Sequence, residues 1–229
     1  MNKYLAFDIE IFKTIPEEAT DWKQYRPFGI SCAAALASDE DKAKLWWSSD
    51  NGPMSAAECR TMLSYLFTMQ AKGYTILTWN GLGFDFDVLA EESGEHYLCA
   101  QLALHHVDMF FHVFCLLGYA PGLDKAAKGM GLPGKTEGVD GAKAPELWAA
   151  GEYEKVLEYV SQDVRTTLDL ALAVEKASRL QWASKNGRLT GTVIPQWLPV
   201  CKANELPLPD TSWMKDPWQR SKFIGWTNP

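Results

Sequence analysis

The chain has 229 residues, 47% of them apolar and 12% aromatic, enough to bury a sizeable core and far from the composition of a disordered segment. Its 22 Lys and Arg against 29 Asp and Glu give a net charge of −7, which argues against tight, extended binding of a duplex. No window approaches the roughly 18 continuous apolar residues of a membrane span, and acidic residues by position 8 exclude a signal peptide, so a cytoplasmic protein without a membrane partner is expected.

Tyr4, Leu5, Ala6, Phe7, Ile9 and Ile11 predict a largely buried first strand. Alternation sends Asp8 and Glu10 to one face of it. Two ionised carboxylates in such surroundings require compensating charge, and bound cations are the natural source. A polar, proline-containing stretch, Thr14 to Pro27, leads to two further strands, Phe28 to Ser38 and Lys44 to Ser48, with a hairpin loop between them. Ser55 and Glu58 form a capping box for a helix carrying Met62, Leu63, Leu66, Phe67 and Met69, which Gly73 ends.

Tyr74 to Trp79 is β-branched and aromatic, a strand that delivers Asn80 and Gly81 at its carboxyl end. Asp85 then opens a helix. Residues 97–118 are strongly apolar and predict two helices broken near Asp108, which is expected to cap or hydrogen-bond rather than to act as a fifth ligand. His105, His106 and His112 fall in the same segment, as satisfied or solvent-facing residues. The cysteines (Cys32, Cys59, Cys99, Cys115, Cys201) are scattered without a C-x-x-C pair, so neither a zinc cluster nor a disulfide framework is indicated. Leu123 to Leu132 predicts a short helical or turn stretch, and the Gly/Lys-rich Gly131 to Pro145 an exposed loop that flanks a substrate groove.

Pro145 to Ser178 predicts one long helix, on which Tyr159 and Asp163 stand four apart and therefore on one face. Beyond Ser178, six prolines and five tryptophans leave little room for a long helix. The expected partition is a domain over 1–178 and an irregular extension over 179–229 that wraps it. Residues 1–175 hold 14 basic against 26 acidic residues, and residues 176–229 hold eight against three. The simple expectation is that the tryptophans of this extension pack on the core. The functional one is that Trp213, Trp218 or Trp226, with Lys215, Arg220 and Lys222, offers bases a stacking surface beside phosphate-binding cations.

Four carboxylates in three places therefore stand out: Phe7-Asp8-Ile9-Glu10, Asn80-Gly-Leu-Gly-Phe84-Asp85 and Tyr159-Val-Ser-Gln-Asp163. Taken singly each has a plain structural reading, a strand end, a turn with a helix cap and a surface helix pair. Together, hard oxygen donors from several elements suit Mg²⁺ or Mn²⁺, and two such ions about 3.5–4 Å apart serve in-line displacement at phosphorus. Tyr159, one turn before Asp163, is placed to orient or deprotonate an attacking water.

These motifs, in this order, resemble the DEDD superfamily of 3′–5′ exonucleases, with Tyr159 marking its tyrosine branch. The wording of the first and third motifs is similar to the proofreading domain of family B DNA polymerases. The resemblance spans roughly residues 3 to 178. It implies a ribonuclease-H-like fold, a mixed sheet with helices on both faces, and two divalent ions held by Asp8, Glu10, Asp85 and Asp163. It also implies substrate contacts from Asn80 and Phe84, with Phe12 a further candidate. The expected activity is release of nucleoside 5′-monophosphates from single-stranded or frayed DNA 3′ ends, with any polymerase or repair partner acting in trans. The alternatives are a 3′–5′ exoribonuclease and, in another class, a nucleic-acid-binding module without catalysis.

Overall fold

Strand β1 (Tyr4–Ile11) lies at the centre of a five-stranded sheet of order β3-β2-β1-β4-β5, in a computed structural model that describes residues 2–16, 18–19, 21–134, 141–184 and 186–228. Its antiparallel neighbour β2 (Ile30–Ala37) turns through a short loop into β3 (Lys44–Trp47), also antiparallel. On the other side, β4 (Thr75–Thr78) and the two-residue β5 (Val107–Asp108) run parallel. The period-2 alternation of β1 divides the core. Leu5, Phe7, Ile9 and Ile11 face one apolar layer, whereas Tyr4 and Ala6 face the other.

Helices cover both faces. Helix α1 (Ala56–Ala71) starts at the expected capping box, with the Ser55 hydroxyl accepting from the Glu58 amide and the Glu58 carboxylate accepting from the Ser55 amide. It joins α2 (Asp85–Ser93) and α3 (His96–His105) on the layer of Leu5 and Phe7. Helix α4 (Met109–Leu117) begins where β5 ends: the Asp108 carboxylate accepts from the Phe111 amide and caps it, as expected. The opposite layer holds α5 (Leu123–Gly129), α6 (Ala144–Ala149) and α7 (Tyr153–Ala177). The single helix expected from Pro145 to Ser178 is thus two, because Gly151 at φ +81° turns the chain between them. Residues 135–140 of the expected Gly/Lys-rich loop lie outside the described residues.

The segment beyond Ser178 is more regular than its prolines suggest. Arg179–Ala183 (β6) and Leu189–Val193 (β7) form an antiparallel hairpin, followed by short helices α8 (Val200–Ala203) and α9 (Ser221–Ile224). Gly129 is where the hairpin docks, since a Cβ there would sit 2.1 Å from the Gln181 carbonyl oxygen. Trp182 and Trp197 are buried in the α7 layer, and Phe223 in the other. Among the described residues no helix is long and apolar enough to cross a membrane.

Candidate active site

Asp8 and Glu10 follow Tyr4 and Ala6 on the face of β1 that α7 covers. On α7 the buried residues Val156, Tyr159, Val160, Asp163 and Val164 recur at helical spacing, so the stripe that seats the helix also brings Asp163 down onto the strand. Carboxylate oxygens of Asp8, Glu10 and Asp163 lie within 4.8 Å of one another, Glu10 and Asp163 being buried. The Tyr159 hydroxyl hydrogen-bonds to Asp163. Burial, and then the charges of Asp163, Glu10 and Asp8, drive this phenol far above its ordinary range, so it keeps its proton and donates. Gly141, just before α6, passes over both groups: a Cβ there would stand 3.9 Å from a Glu10 oxygen and 4.0 Å from the Tyr159 oxygen.

Asp85 stands outside this group of three and adjoins it through Asp8, with which it shares a side-chain hydrogen bond. Its place follows from the sheet. The β1–β4 register ends at the Ala6–Leu77 pair, so the Ile9 amide beyond it receives no partner from β4 and donates instead to Asp85 Oδ1 at 3.0 Å. Burial pushes the Asp85 carboxyl up to about 7, the Asp108 charge adding to the rise and the Ile9 amide opposing it.

The turn between β4 and α2 is fixed from two sides. Asp108 accepts from the amides of Asn80 (3.0 Å) and Leu82 (2.9 Å), and the Thr78 hydroxyl accepts from Gly81 (3.1 Å). Burial raises Asp108 to about 6 while these donors hold it down. Behind Thr78, His106 is fully buried and lowered to about 3; its Nδ1 donates to the Ala103 carbonyl and its Nε2 accepts from the Thr78 hydroxyl. Asn80 adopts φ +75°, and a Cβ on Gly81 would approach the Thr78 Oγ1 to 2.5 Å, which accounts for the Asn-Gly pair.

Asn80 thereby enters the wall of a cavity of about 390 Å³ shared with Asp8, Asp163, Trp79, Phe110 and Asp124. Phe84 instead packs on Trp22, ring centroids 5.3 Å apart, and Phe12 lines a separate cavity beside Phe28 and Pro53. Trp79, Phe110 and Asp124 were not singled out in the sequence. The available signal was position, since Trp79 precedes Asn80 and Phe110 follows Asp108 by two.

The donor set fits hard divalent cations. Three carboxylates converge without thiolate or imidazole, and two of them are buried, where like charges repel strongly unless a cation neutralises them. Asp8, Glu10 and Asp163 would hold such an ion, with Asp85 reaching the site beside Asp8.

Arg220 has a different role from the phosphate contact expected of it. Its Nη1 donates to the carbonyls of Asn204 and Leu206, and its Nη2 to those of Cys115 and Pro207, tying the C-terminal segment to α4. Trp226 is likewise engaged, donating from Nε1 to the Leu82 carbonyl at 2.7 Å. Lys222 lies 3.4 Å over the Trp218 ring.

Among solved structures, the family B DNA polymerase of the hyperthermophilic archaeon Pyrobaculum calidifontis superposes with a TM-score of 0.56 at 21% identity, covering 76% of this chain and 24% of the polymerase. The E. coli Exonuclease I complex with a dA13 oligonucleotide matches at a TM-score of 0.38 and 14% identity, over 77% of this chain and 41% of that one. The chain thus spans a quarter to two fifths of the length of these neighbours, and the likeness is one of fold. No curated protein matches the sequence. A family model for the RNase H superfamily matches residues 50–174, more than half of the sequence, taking in Asp85, Tyr159 and Asp163; on that match the chain belongs to the RNase H superfamily.

Proposed function

We propose that this protein is a metal-dependent 3′–5′ exonuclease of the tyrosine branch of the DEDD group, acting on single-stranded or frayed DNA ends. The observation that carries the reading is the convergence of Asp8, Glu10 and Asp163 within 4.8 Å, with Tyr159 seated against Asp163. The similarity of the fold to a family B DNA polymerase supports it. The same reading takes residues 1–178 as the catalytic unit and 179–229 as its extension.

Mg²⁺ or Mn²⁺ at this site would acidify a bound water and neutralise charge on the scissile phosphate. Asp8, Glu10 and Asp163 position the cations, and Asp85, gripping the Ile9 amide, holds the strand segment that carries the first two. Tyr159, seated against Asp163, is placed to orient the attacking water through its hydroxyl. Asn80, Trp79 and Phe110 shape the cavity around the terminal nucleotide. The test is incubation with Mg²⁺ or Mn²⁺ and 3′- or 5′-labelled single-stranded DNA and RNA. The reading expects immediate loss of the 3′ label as mononucleotide and progressive shortening of 5′-labelled DNA. Resistance of every substrate, or erosion from the 5′ end, would overturn it; preferential loss of RNA would replace DNA by RNA as substrate.

A further inference from the structure

Outside the acidic site, a second and larger cleft of about 970 Å³ opens between the segment 119–122, the β6–β7 hairpin and Trp213. Its composition is unlike the rest of a chain with net charge −7, because Lys125, Arg179 and Arg188 all line it. The aromatic groups are arranged as a wall. Tyr119 stands edge-on between Trp182 and Trp213, with centroids at 6.2 Å and 5.9 Å and interplanar angles of 78° and 88°. Trp182 is buried and anchors the wall, whereas Trp213 is 68% exposed. The two cavities meet at one residue: Gly122 lines both, and the two that follow it, Leu123 and Asp124, lie on the catalytic side.

We infer that this cleft carries the single strand upstream of the 3′-terminal nucleotide, with Trp213 and Tyr119 stacking on bases and Lys125, Arg179 and Arg188 meeting phosphates. Aromatic faces interleaved with cations match the backbone and bases of an unpaired strand, and stacking of this kind tolerates any sequence. The negative charge of a strand complements the cleft and opposes the acidic site, which a strand enters only where cations neutralise the carboxylates. Gly122 gives the path its continuity. The geometry also explains the close docking of the hairpin on α5 at Gly129, since α5 then fixes one wall of the cleft relative to Asp124 and the acidic site. The inference rests on the nuclease reading for the polarity of the strand, but not for its binding.

The experiment measures affinity of the full chain for 5′-fluorescein-labelled oligo(dT) of three and twelve nucleotides in EDTA, which prevents cleavage, over a series of salt concentrations. The wild-type protein should bind the twelve-mer more tightly than the three-mer. Arg179→Ala with Arg188→Ala should flatten the salt dependence of twelve-mer binding by about 1.4 in log–log slope, about 0.7 for each phosphate contact on a single strand. Trp213→Ala should weaken the twelve-mer roughly ten- to a hundred-fold, and Lys72→Ala, an exposed charge control just past the end of α1, should change neither. Circular dichroism and thermal melting report whether each variant folds; if a variant does not, the single substitution Arg188→Glu at an exposed position replaces it, with the same expectation of weakened twelve-mer binding. Unchanged twelve-mer affinity and salt slope in folded variants overturn the cleft even where the protein degrades DNA. Length-dependent binding that these variants abolish sustains the cleft even where the wild type shows no hydrolysis, so the two readings fail separately.

Discussion

The Asp85 carboxylate accepts a 3.0 Å hydrogen bond from the amide of Ile9, the residue of β1 that separates Asp8 from Glu10. One side chain at the start of α2 therefore holds the strand backbone between two candidate ligands while touching Asp8 itself. Its effect is mechanical and electrostatic at once.

Burial raises Asp85 from an ordinary 3.8 to about 7. Between those values the folded state keeps a proton that the unfolded chain has released, so stability declines as pH rises through the window and levels off above it. His106 and His112 act in the opposite sense. They are lowered by burial to about 3 and about 4 from 6.5, and their contribution, present above pH 6.5, is lost as pH falls below it. From pH 6.5 to 8 the unfolded-state histidines lose the last half of their charge, so His106 and His112 together gain about as much stability as Asp85 loses, and the Asp85 effect is read against Asp85→Asn. In EDTA the wild type should lose on the order of 1 kcal/mol relative to that variant over the interval, seen as roughly 2–4 °C in the difference of their Tm values. Saturating Mg²⁺ should remove the difference; Tm values of wild type and variant that change in parallel from pH 6.5 to 8 would refute the assignment.

Asp8→Asn and Asp163→Asn should each abolish the rise in Tm produced by Mg²⁺ or Mn²⁺, because each removes a ligand charge from the three converging carboxylates. In EDTA neither variant should be less stable than wild type, since like-charge crowding is relieved. Thermal melts with and without cation check both statements.

Tyr159→Phe removes a buried hydroxyl that donates to Asp163. If the hydroxyl orients water, the single-turnover rate should fall by about 10²-fold, the lower end of proton-transfer assistance, while substrate affinity holds. Stability should fall by about 0.5–1.5 kcal/mol for one lost hydrogen bond. In EDTA, where no cation offsets the charges of Asp163, Glu10 and Asp8, the ultraviolet titration difference between wild type and Tyr159→Phe should show no phenol ionising up to pH 10. Full activity in the variant would remove Tyr159 from the mechanism.

Arg220→Ala leaves four carbonyl oxygens without their shared donor, some of them partly buried. The loss should be about 2–4 kcal/mol in urea denaturation, and Arg220→Lys should rescue little of it, since an ammonium lacks the planar fork. A variant of unchanged stability that binds DNA more weakly would restore the phosphate-contact role expected from sequence.

How far sequence could reach is visible in particular residues. Alternation along Tyr4–Ile11 and the four-residue step from Tyr159 to Asp163 are local properties, and both survive folding unchanged because a buried face enforces them. The Ser55–Glu58 box and the capping role of Asp108 are local too. Strand β5 escaped notice because two residues carry no period, and the α6–α7 break because Gly151 interrupts an otherwise continuous apolar pattern. The β6–β7 hairpin was hidden by the prolines that follow it, although Arg179–Ala183 alternates buried and exposed residues in the structure. Long-range contacts were beyond any local signal. Nothing in the sequence near Arg220 announces Cys115 as its partner, and nothing near Trp213 announces Tyr119.

The most direct test of the account follows a 5′-labelled single strand of DNA under single-turnover conditions, with wild type and Asp163→Asn compared in Mg²⁺, Mn²⁺ and EDTA. The account predicts a ladder of products shortened one nucleotide at a time from the 3′ end, formed by wild type in either cation and absent with EDTA or with the variant. Equal degradation by the variant, or by wild type in EDTA, would contradict it.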